Sequence, residues 1–253
     1  MAQHERLQQM REWIKTTPEI SLDQLMEEYR ISRDTARRDL IQLEQEGKII
    51  RVKNGLIRVG TNMTVQYDRR TERPEKDRIA QRAITYIAPH QKIILDAATT
   101  VARMTVHLPV QPVQVITNSL AVVEQLEARP EIELYVTGGK LDRHARSLVG
   151  IKTADDILNY QVDRVFLGAC GLTEQGVFAE NLEEAIVKKA MIRSGAEIIV
   201  LADHTKFEKR FLHKVCDLDQ IDVLITDERP TGQWHDWLTQ ADVLLEVAEE
   251  EQP

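Results

Sequence analysis

The chain has 253 residues, a hydrophobic fraction of 42%, a charged fraction of 29% and a formal net charge of −8. This composition is ordinary for a soluble globular protein, and the length suits two domains better than one. No apolar run approaches the ~20 residues that a membrane-spanning helix needs, and the polar first residues do not resemble a signal peptide. We therefore expect a cytoplasmic protein with no membrane partner.

The cysteines point to no metal and no redox chemistry. Cys170 and Cys216 are isolated, with no Cys-x-x-Cys pair and no histidine cluster of metal-ligand spacing. We expect two inert core thiols, with a regulatory disulfide between them as the alternative. No metal site and no cofactor are predicted.

Charge is unevenly distributed along the chain. Residues 1–70 hold 13 Lys and Arg against 11 Asp and Glu, a net charge of +2, whereas the remaining residues carry −10. Within the first part, residues 30–58 alone carry 8 basic and 4 acidic side chains. A basic patch on an otherwise acidic chain is typical of a DNA-binding head joined to a second domain.

Two helices are predicted at the start of the head. Leu7, Met10 and Ile14 have the spacing of one helix face, and Pro18 follows as a stop. Ser21-Leu22-Asp23-Gln24 has the pattern of a capping box that opens a second helix. The apolar residues predicted to point inward from this second helix are Leu22, Leu25, Met26 and Tyr29.

A third helix after Ser32 has the pattern of a recognition helix. Ser32 is a good N-cap. One apolar stripe is formed by Ala36, Leu40 and Leu43. Off that stripe, where they could meet DNA, lie Arg33, Arg37 and Arg38.

A basic hairpin is predicted next. Ile49–Val52 and Leu56–Val59 have the composition of strands, and Asn54-Gly55 between them is a strong hairpin signal. The predicted wing residues that touch DNA backbone or minor groove are Arg51, Lys53 and Arg58. Three helices and this hairpin predict a winged helix-turn-helix over residues 1–60, whose third helix enters the major groove of double-stranded DNA.

The remaining sequence has a different pattern. Residues 61–75 have no sustained period and are interpreted as an ordered linker. From residue 76 to 253, short apolar runs alternate with amphipathic helices, which predicts a doubly wound, mostly parallel α/β domain. The apolar runs begin at Ile93, Val113, Ile132, Val162, Ile198 and Val223.

Polar or small residues follow five of the predicted strands. Ligands in such folds bind at the carboxyl ends of strands. The segments concerned are Asp96–Thr100, Thr117–Ser119, Thr137–Gly139, Gly168–Gly171 and Ala202–Lys206. Thr99 and Thr100 would open a helix and offer a phosphate seat, and Lys206 supplies a cation. Each residue alone could be a cap or turn residue, and Lys206 could form a local ion pair with Asp203; together the five ends favour a site for a small polar anion.

Over nearly its whole length the chain resembles the DeoR family of bacterial transcriptional regulators. The head residues that carry the resemblance are Ile31-Ser32, Thr35, Arg37–Leu40, Leu43-Glu44, Gly47 and Arg51. In the second half they are Leu95-Asp96, Thr99-Thr100, Ile116–Ser119, Gly138-Gly139, Phe166–Gly168, Gly171, Glu184, Lys188, Met191 and Leu201–Phe207.

The resemblance implies a sugar-phosphate-sensing domain related to ribose-5-phosphate isomerase but without its activity. Ser32 and Thr35, which belong to the matched head residues, are counted among the predicted DNA-binding residues, and the strand-end residues Gly138 and Gly139 among the predicted effector-binding residues. Around the effector the resemblance places Asp96, Thr99, Thr100, Asn118 and Ser119, with Glu184, Lys188 and Lys206 on the opposite wall. The loop Gly168–Gly171 lacks the acidic residues that isomerisation requires, although Glu184 could still serve as a base.

Two positions depart from the family pattern. Ala98 stands where members usually have Gly, which predicts a reshaped phosphate loop or a different ligand. Asn54-Gly55 replaces a Gly-Gly pair, and since Asn tolerates left-handed backbone geometry we expect the turn to survive.

The predicted function is a DNA-binding regulator, and we expect a repressor of a sugar or polyol catabolic operon that is modulated by a phosphorylated intermediate. The expected partners are an operator, that effector and further copies of the chain in a dimer or tetramer, and no enzyme activity is expected. Three alternatives stay open: an isomerase-like enzyme with a DNA-binding appendage, a DNA-binding protein whose second domain only oligomerises, and an activator.

Overall fold

The structure, a computed structural model, describes most of the chain. The described residues are 6–10, 13, 19–45, 49–51, 56–59 and 73–248. They divide into two compact units, Met1–Gln66 and Tyr67–Pro253, which are described separately below. Within the described residues, no helix is long and apolar enough to cross a membrane.

The first unit contains the predicted helices. Residues 6–10 are helical, and α1 (Leu22–Tyr29) and α2 (Arg33–Gln45) follow. The capping box that opens α1 is confirmed, because Ser21 Oγ accepts from the Gln24 backbone N–H and the Gln24 side chain accepts from the Ser21 backbone N–H. Arg30, with φ of 49°, adopts the left-handed conformation that ends α1 and turns the chain into α2.

The core of this unit is formed by the predicted apolar stripe of α2 and by apolar residues of the two preceding helical segments. The buried residues include Leu7, Met10, Leu25, Ala36, Leu40 and Leu43. Leu22 and Tyr29 pack against them at the margin, and Trp13 meets Tyr29 edge-on. Ile14, which was predicted to share the first helix face, lies outside the described residues.

A three-stranded antiparallel sheet completes the first unit. Its strands are β1 (Glu19–Ser21), β2 (Ile49–Arg51) and β3 (Leu56–Val59), in the order β1-β3-β2. The β2–β3 pairing is the predicted hairpin, with Ile49 opposite Val59. Pairing with β1 was not predicted, and the turn residues Lys53 and Asn54-Gly55 lie outside the described residues.

The second unit is built on a seven-stranded, wholly parallel sheet with the order β15-β14-β12-β9-β4-β5-β6. Its strands are β4 (Lys92–Leu95), β5 (Val113–Thr117), β6 (Ile132–Val136), β9 (Val162–Gly168), β12 (Gly195–Leu201), β14 (Val223–Thr226) and β15 (Leu244–Val247). The chain runs outward from β4 in one direction and from β9 in the other. The topological switch point therefore lies between these two central strands.

Helices cover both faces of this sheet, as predicted for a doubly wound fold. One face carries α3 (Pro74–Ile84), α4 (Thr99–His107) and α5 (Leu120–Leu126). The other carries α6 (Ile151–Ile157), α7 (Leu182–Ser194) and α8 (Trp234–Gln240). Strand side chains alternate between the two cores, so that in β4 Ile94 packs on one side and Ile93 and Leu95 on the other.

Smaller elements lie outside the seven-stranded sheet. They are the hairpin β7 (Lys140–Asp142) and β8 (Ser147–Val149), the sheet β10 (Gly171–Thr173), β11 (Gly176–Ala179) and β13 (His213–Cys216), and two 3₁₀ helices (His204–Lys206 and Leu218–Gln220). None of them was predicted, because three- and four-residue elements carry too little periodicity. Helix α3 begins at Pro74, so the last two residues of the predicted linker form its first turn.

Candidate functional sites

The exposed face of α2 carries the predicted DNA-reading residues. Arg33, Arg37 and Arg38 are exposed, and the Arg38 guanidinium lies along its own helix, 3.4 Å from the Asp34 carbonyl oxygen. Ser32 caps the helix as predicted, since its Oγ accepts from the Thr35 backbone N–H at 3.3 Å and lies 2.9 Å from Thr35 Oγ1. A capped helix whose opposite face is buried leaves its arginines free to meet an anionic surface.

A buried ion pair supports this helix from within. Asp39 is 1% exposed and accepts from Arg6 Nε at 2.6 Å and from Arg6 Nη2 at 3.2 Å. The hydrogen bond to Asp39 raises the pKa of Arg6 although burial opposes it. The negative charge of Asp39 is thus balanced by Arg6 inside the unit, so it does not repel the phosphates of DNA. The role of Arg6 was not predicted from the sequence. Asp39 lies three residues after Ala36 on the buried face of the helix, and a buried carboxylate normally has a cationic partner.

The predicted wing is described only in part. Arg51 ends β2 opposite Ile57, and Arg58 in β3 lies opposite Ile50. Arg58 also pairs with Glu19 of β1 in the strand register. Lys53 lies outside the described residues, so its predicted contact with DNA stays a prediction.

The carboxyl ends of β4 and β9, called here the switch edge, hold a buried ion pair between Asp96 and Lys188. Lys188 is 2% exposed and reaches across from α7 to donate to Asp96 Oδ2 and, at 2.8 Å, to the Gly168 carbonyl oxygen. Asp96 Oδ2 also accepts from the Gly168 backbone N–H at 3.0 Å. Burial opposes the charge on Lys188, but Asp96 and Glu184 outweigh it, so the pKa of Lys188 is raised. The ammonium therefore stays charged at neutral pH.

Glu184 and Cys170 extend this cluster towards the surface. Glu184, one turn before Lys188 on α7, has a carboxylate oxygen 3.6 Å from the Lys188 ammonium. Cys170 Sγ lies 3.5 Å from Glu184 Oε1. Burial and the neighbouring Glu184 raise the pKa of Cys170 to about 11. The thiol is therefore protonated at neutral pH and is a poor nucleophile.

The start of α4 forms the second part of the switch edge. Thr99 Oγ1 accepts from Lys76 Nζ at 2.6 Å, and Thr100 is buried beside it. Lys76 is itself 5% exposed and belongs to the first turn of α3. Its role was missed from the sequence because it lies in the predicted helix that precedes the strand, not at a strand end.

Ala98 precedes α4 in an ordinary conformation. Its φ of −68° and ψ of 144° require no glycine, so the predicted reshaping of the loop is not needed on conformational grounds. Its methyl group instead packs against Gly168, where an added Cβ would lie 2.0 Å from the Ala98 Cβ. The Ala98 methyl group thus fits because residue 168 is a glycine and has no side chain to fill the same space.

Asn118 and Ser119 are partly committed to the fold. Ser119 Oγ caps α5 by accepting from the Val122 backbone N–H. Asn118 Nδ2 donates to the Leu148 carbonyl oxygen at 2.8 Å, whereas Asn118 Oδ1 and the neighbouring Thr137 Oγ1 are buried without a hydrogen-bond partner among the described residues. Buried polar atoms normally have a partner, so each of these two atoms retains an unused hydrogen-bonding capacity.

Gly138 and Gly139 contact α6. The Gly138 backbone N–H donates to Asp156 at 2.8 Å, and its carbonyl oxygen accepts from Thr153. Gly139 has φ of 144°, and an added Cβ would lie 1.9 Å from Thr153 Oγ1. Both glycines thereby fix the path between β6 and β7, and the contacts described for them are with α6 and with Val149 of β8, not with Asp96 or Lys188.

Lys206 lies half-buried at the end of the first 3₁₀ helix. Within residues 73–248, its ammonium group has no ion pair or hydrogen bond. Asp203, the expected local partner, caps the 3₁₀ helix by accepting from the Thr205 backbone N–H and hydroxyl. No ion pair between Lys206 and Asp203 is therefore present in this structure.

A histidine with two carboxylates lies near Lys206. His204 Nδ1 is 2.6 Å from Asp227 Oδ2 and 3.5 Å from Glu228 Oε1, and the His204 backbone N–H also donates to Asp227. The hydrogen bond to Asp227 raises the pKa of His204. These three residues are close enough to hold a cation, which sequence spacing could not show. Because Nδ1 already bonds to a carboxylate, we interpret the group as an ion pair.

Both cysteines are free. Burial raises the pKa of Cys216 to about 12. The raised pKa values support the expectation of two inert thiols, and no disulfide joins them in this structure.

Comparison with known proteins accounts for both units. The chain matches the family model of the DeoR-like helix-turn-helix domain over residues 6–61 and that of the DeoR C terminal sensor domain over residues 71–228. It is 35% identical to the HTH-type transcriptional repressor GlcR of Bacillus subtilis, over 100% of this chain and 99% of that protein. It is 27% identical to the Glycerol-3-phosphate regulon repressor of Escherichia coli, over 98% of this chain and 100% of that protein.

Solved structures give a partial likeness. Ribose 5-phosphate isomerase A of Methanocaldococcus jannaschii matches with a TM-score of 0.39 and 20% identity, over 53% of this chain and 54% of that chain. The match thus spans about half of the enzyme's length. At this TM-score and identity the likeness carries no information on activity.

The family predicted from the sequence is confirmed by these matches, which run through both units. These curated relatives are transcriptional repressors or regulators. With its helix-turn-helix head, its parallel α/β unit and its full-length repressor relatives, the chain belongs to the DeoR family of DNA-binding transcriptional regulators.

Proposed function

We propose that this regulator represses genes for the use of a sugar or polyol, and that a phosphorylated sugar or polyol bound at the switch edge weakens its hold on the operator. The relatives named above support repression as the mode of action. Because its partner is chromosomal DNA, the proposed place of action is the cytoplasm.

The observation that carries this proposal is the buried Asp96–Lys188 pair at the topological switch point. Open parallel sheets bind ligands in the crevice outside this point. A buried ion pair adds little net stability, because the cost of desolvating both charges offsets much of their attraction. Charged groups that are desolvated beside a strand-end loop are instead typical of a functional site. Here they offer a carboxylate and an ammonium group to the hydroxyl groups of a polyol.

The start of α4 is the proposed phosphate seat. The first backbone N–H groups of a helix and its dipole favour an anion. Thr99 and Thr100 add hydroxyl groups, and the Lys76 ammonium lies 2.6 Å from Thr99 Oγ1. Lys206 would supply a second cation. The other proposed effector residues are Asn118, Ser119, Gly138, Gly139 and Glu184.

Operator binding is assigned to α2 and the hairpin. We propose that Arg37 and Arg38 divide base and phosphate contacts, and that the chain binds as a homo-oligomer. A single small head buries too little DNA for selectivity, and paired heads reading two half-sites solve that problem.

A thermal-shift screen against phosphorylated sugars and polyols tests the effector assignment. A true effector at 100 times its dissociation constant should raise the free energy of unfolding by about 2.7 kcal/mol. The matching unphosphorylated compounds serve as controls and should give smaller shifts, because they lack the group that the α4 start would bind. Equal shifts with and without the phosphate group would contradict the proposed phosphate seat.

A further inference from the structure

The turn that carries Lys206 is attached to a buried tryptophan on α8. Phe207 directly follows Lys206, and its ring meets that of Trp234 edge-on, with ring centroids 4.8 Å apart and an interplanar angle of 89°. Trp234 is only 2% exposed. Edge-to-face aromatic pairs of this kind stabilise a defined geometry beyond the area they bury.

A hydrogen bond attaches the next residue to the same indole. Trp234 Nε1 donates to Glu208 Oε1 at 2.7 Å. Glu208 has φ of 58°, a left-handed conformation that disfavours residues with a side chain. The indole hydrogen bond therefore helps to hold a backbone turn that would otherwise relax.

The same segment is joined to the loop beside Lys188. Phe207 forms a parallel bridge with Leu172, the residue after Gly171. The Lys209 carbonyl oxygen lies directly over Gly171, where an added Cβ would come within 2.1 Å of it. Trp234 thus fixes a turn that connects Lys206 with the Gly168–Gly171 loop of the switch edge.

Trp234 lies beyond residues 71–228, the range matched by the sensor-domain model. The geometry points to Trp234 as a positioning residue that holds Lys206 where it can meet the effector's phosphate or hydroxyl groups. This inference rests on the proposed effector function. It assigns to α8 a role in effector affinity that neither the sequence pattern nor the family match contains.

Limited trypsin digestion tests the attachment without any effector. Lys209 and Arg210 are exposed cleavage sites within the attached segment. Trp234→Phe keeps an aromatic ring but loses the N–H donor, so cleavage after these residues should accelerate roughly tenfold as the segment opens more often. Trp237→Phe is the matched control, since Trp237 packs on Trp234 with centroids 5.3 Å apart and should leave cleavage unchanged.

Glu208 provides a pair of variants on an exposed position, where misfolding is not a concern. Glu208→Ala removes the acceptor and should accelerate cleavage as Trp234→Phe does. Glu208→Gln keeps an oxygen acceptor and should retain most of the protection. Cleavage at the wild-type rate in both Trp234→Phe and Glu208→Ala would overturn the inference.

Calorimetry with glycerol 3-phosphate and glucose 6-phosphate as probes tests the consequence for affinity. If Lys206 is in place only a tenth of the time in Trp234→Phe and Glu208→Ala, their affinity for the probes should fall about tenfold. Glu208→Gln should retain the wild-type affinity. Faster cleavage with unchanged probe affinity would overturn the positioning role. If neither these probes nor any compound of the thermal-shift screen binds the wild-type chain, the proposed effector function fails, and the digestion series still decides whether Trp234 holds the turn.

Discussion

Each unit of this protein buries one acidic side chain against a basic one, and the two pairs differ in their surroundings. In the head, Arg6 and Asp39 join the first helical residues to α2 within an apolar helix core. In the second unit, Lys188 and Asp96 meet at the ends of two parallel strands, beside Glu184 and the start of α4. The first pair lies where helices pack, whereas the second lies at the carboxyl ends of β4 and β9.

We expect the first pair to support the structure of the head and the second pair to take part in effector recognition. The Arg6–Asp39 pair fixes the helix that presents Arg37 and Arg38, and neither of its members is exposed. The Asp96–Lys188 pair also contacts the backbone N–H and carbonyl oxygen of Gly168. We expect substitutions in the first pair to change stability, and those in the second to change the response to effector.

Breaking the head pair has the largest expected effect. Asp39→Ala leaves the Arg6 guanidinium buried without this carboxylate and should destabilise the head by roughly 3 kcal/mol. Operator binding should be lost because the head unfolds, while the transition of the second unit stays in place. Differential scanning calorimetry resolves the two transitions. A full loss of operator binding with an unchanged head transition would instead give Asp39 a direct role at the DNA.

Filling the space beside Ala98 comes next. Gly168→Ala brings a Cβ within 2.0 Å of the Ala98 Cβ and should cost about 1–3 kcal/mol of stability in the second unit through overpacking. Adding Ala98→Gly should recover most of that loss, because the two methyl groups compete for one space. Urea denaturation of the single and double variants measures the coupling, and additive effects would contradict it.

The arginines of α2 should affect operator affinity without affecting stability. Loss of a base contact costs about 1–3 kcal/mol and relaxes sequence preference. Loss of a phosphate contact weakens binding to all DNA and lowers the salt slope by about one. Arg37→Ala and Arg38→Ala should divide between these outcomes when affinity for operator and random DNA is measured across salt concentrations. Wild-type affinities in both variants would exclude α2 as the reading helix.

Lys206→Ala should weaken effector binding roughly ten- to a hundredfold, as expected for a lost charge-assisted hydrogen bond. Operator affinity without effector should not change, because the head is untouched. Calorimetry with the compound selected by the thermal-shift screen measures the change. Unaltered effector affinity with a lower melting temperature would show that Lys206 has a structural role only.

The smallest expected effect is a pH dependence from His204. The hydrogen bond to Asp227 raises its pKa in the folded chain, so its contribution is present below the unfolded-state pKa and is lost as pH rises through the folded-state pKa. His204 is 44% exposed, so solvent screening limits the effect to about 0.5 kcal/mol. Asp227→Asn should remove this dependence in thermal melts between pH 6 and 8, and an unchanged profile would assign it to other groups.

Much of the fold was readable from the sequence because its long elements carry strong periodicity. The α2 stripe of Ala36, Leu40 and Leu43 and the apolar runs of the parallel strands placed both cores correctly. The small sheet formed by β10, β11 and β13 could not be predicted, since its strands are three or four residues long and its pairing is not local.

The candidate sites were readable only in part. Asp96, Lys188 and Glu184 were implied by a family resemblance, and the structure brings them together. Lys76 and Trp234 were missed because each comes from a helix remote in sequence and acts through a tertiary contact. Gly138 and Gly139 stood out as a strand-end motif, yet their described contacts are with α6 and β8.

Effector titration of the operator complex tests whether the effector binds at the switch edge. The DNA is a fragment selected by the full chain, and the effector is the phosphorylated compound with the largest thermal shift. Fluorescence anisotropy would follow release for wild type, for Lys188→Met, and for Lys189→Met as the matched control, since Lys189 is the exposed neighbour on the same helix. A melting curve for each variant verifies that the second unit is folded.

We expect wild type and Lys189→Met to release the DNA over the same effector concentrations. Lys188→Met should bind the operator normally and stay bound over that whole concentration range. Release of the Lys188→Met complex at the wild-type effector concentration would contradict the assignment of the effector site to the switch edge.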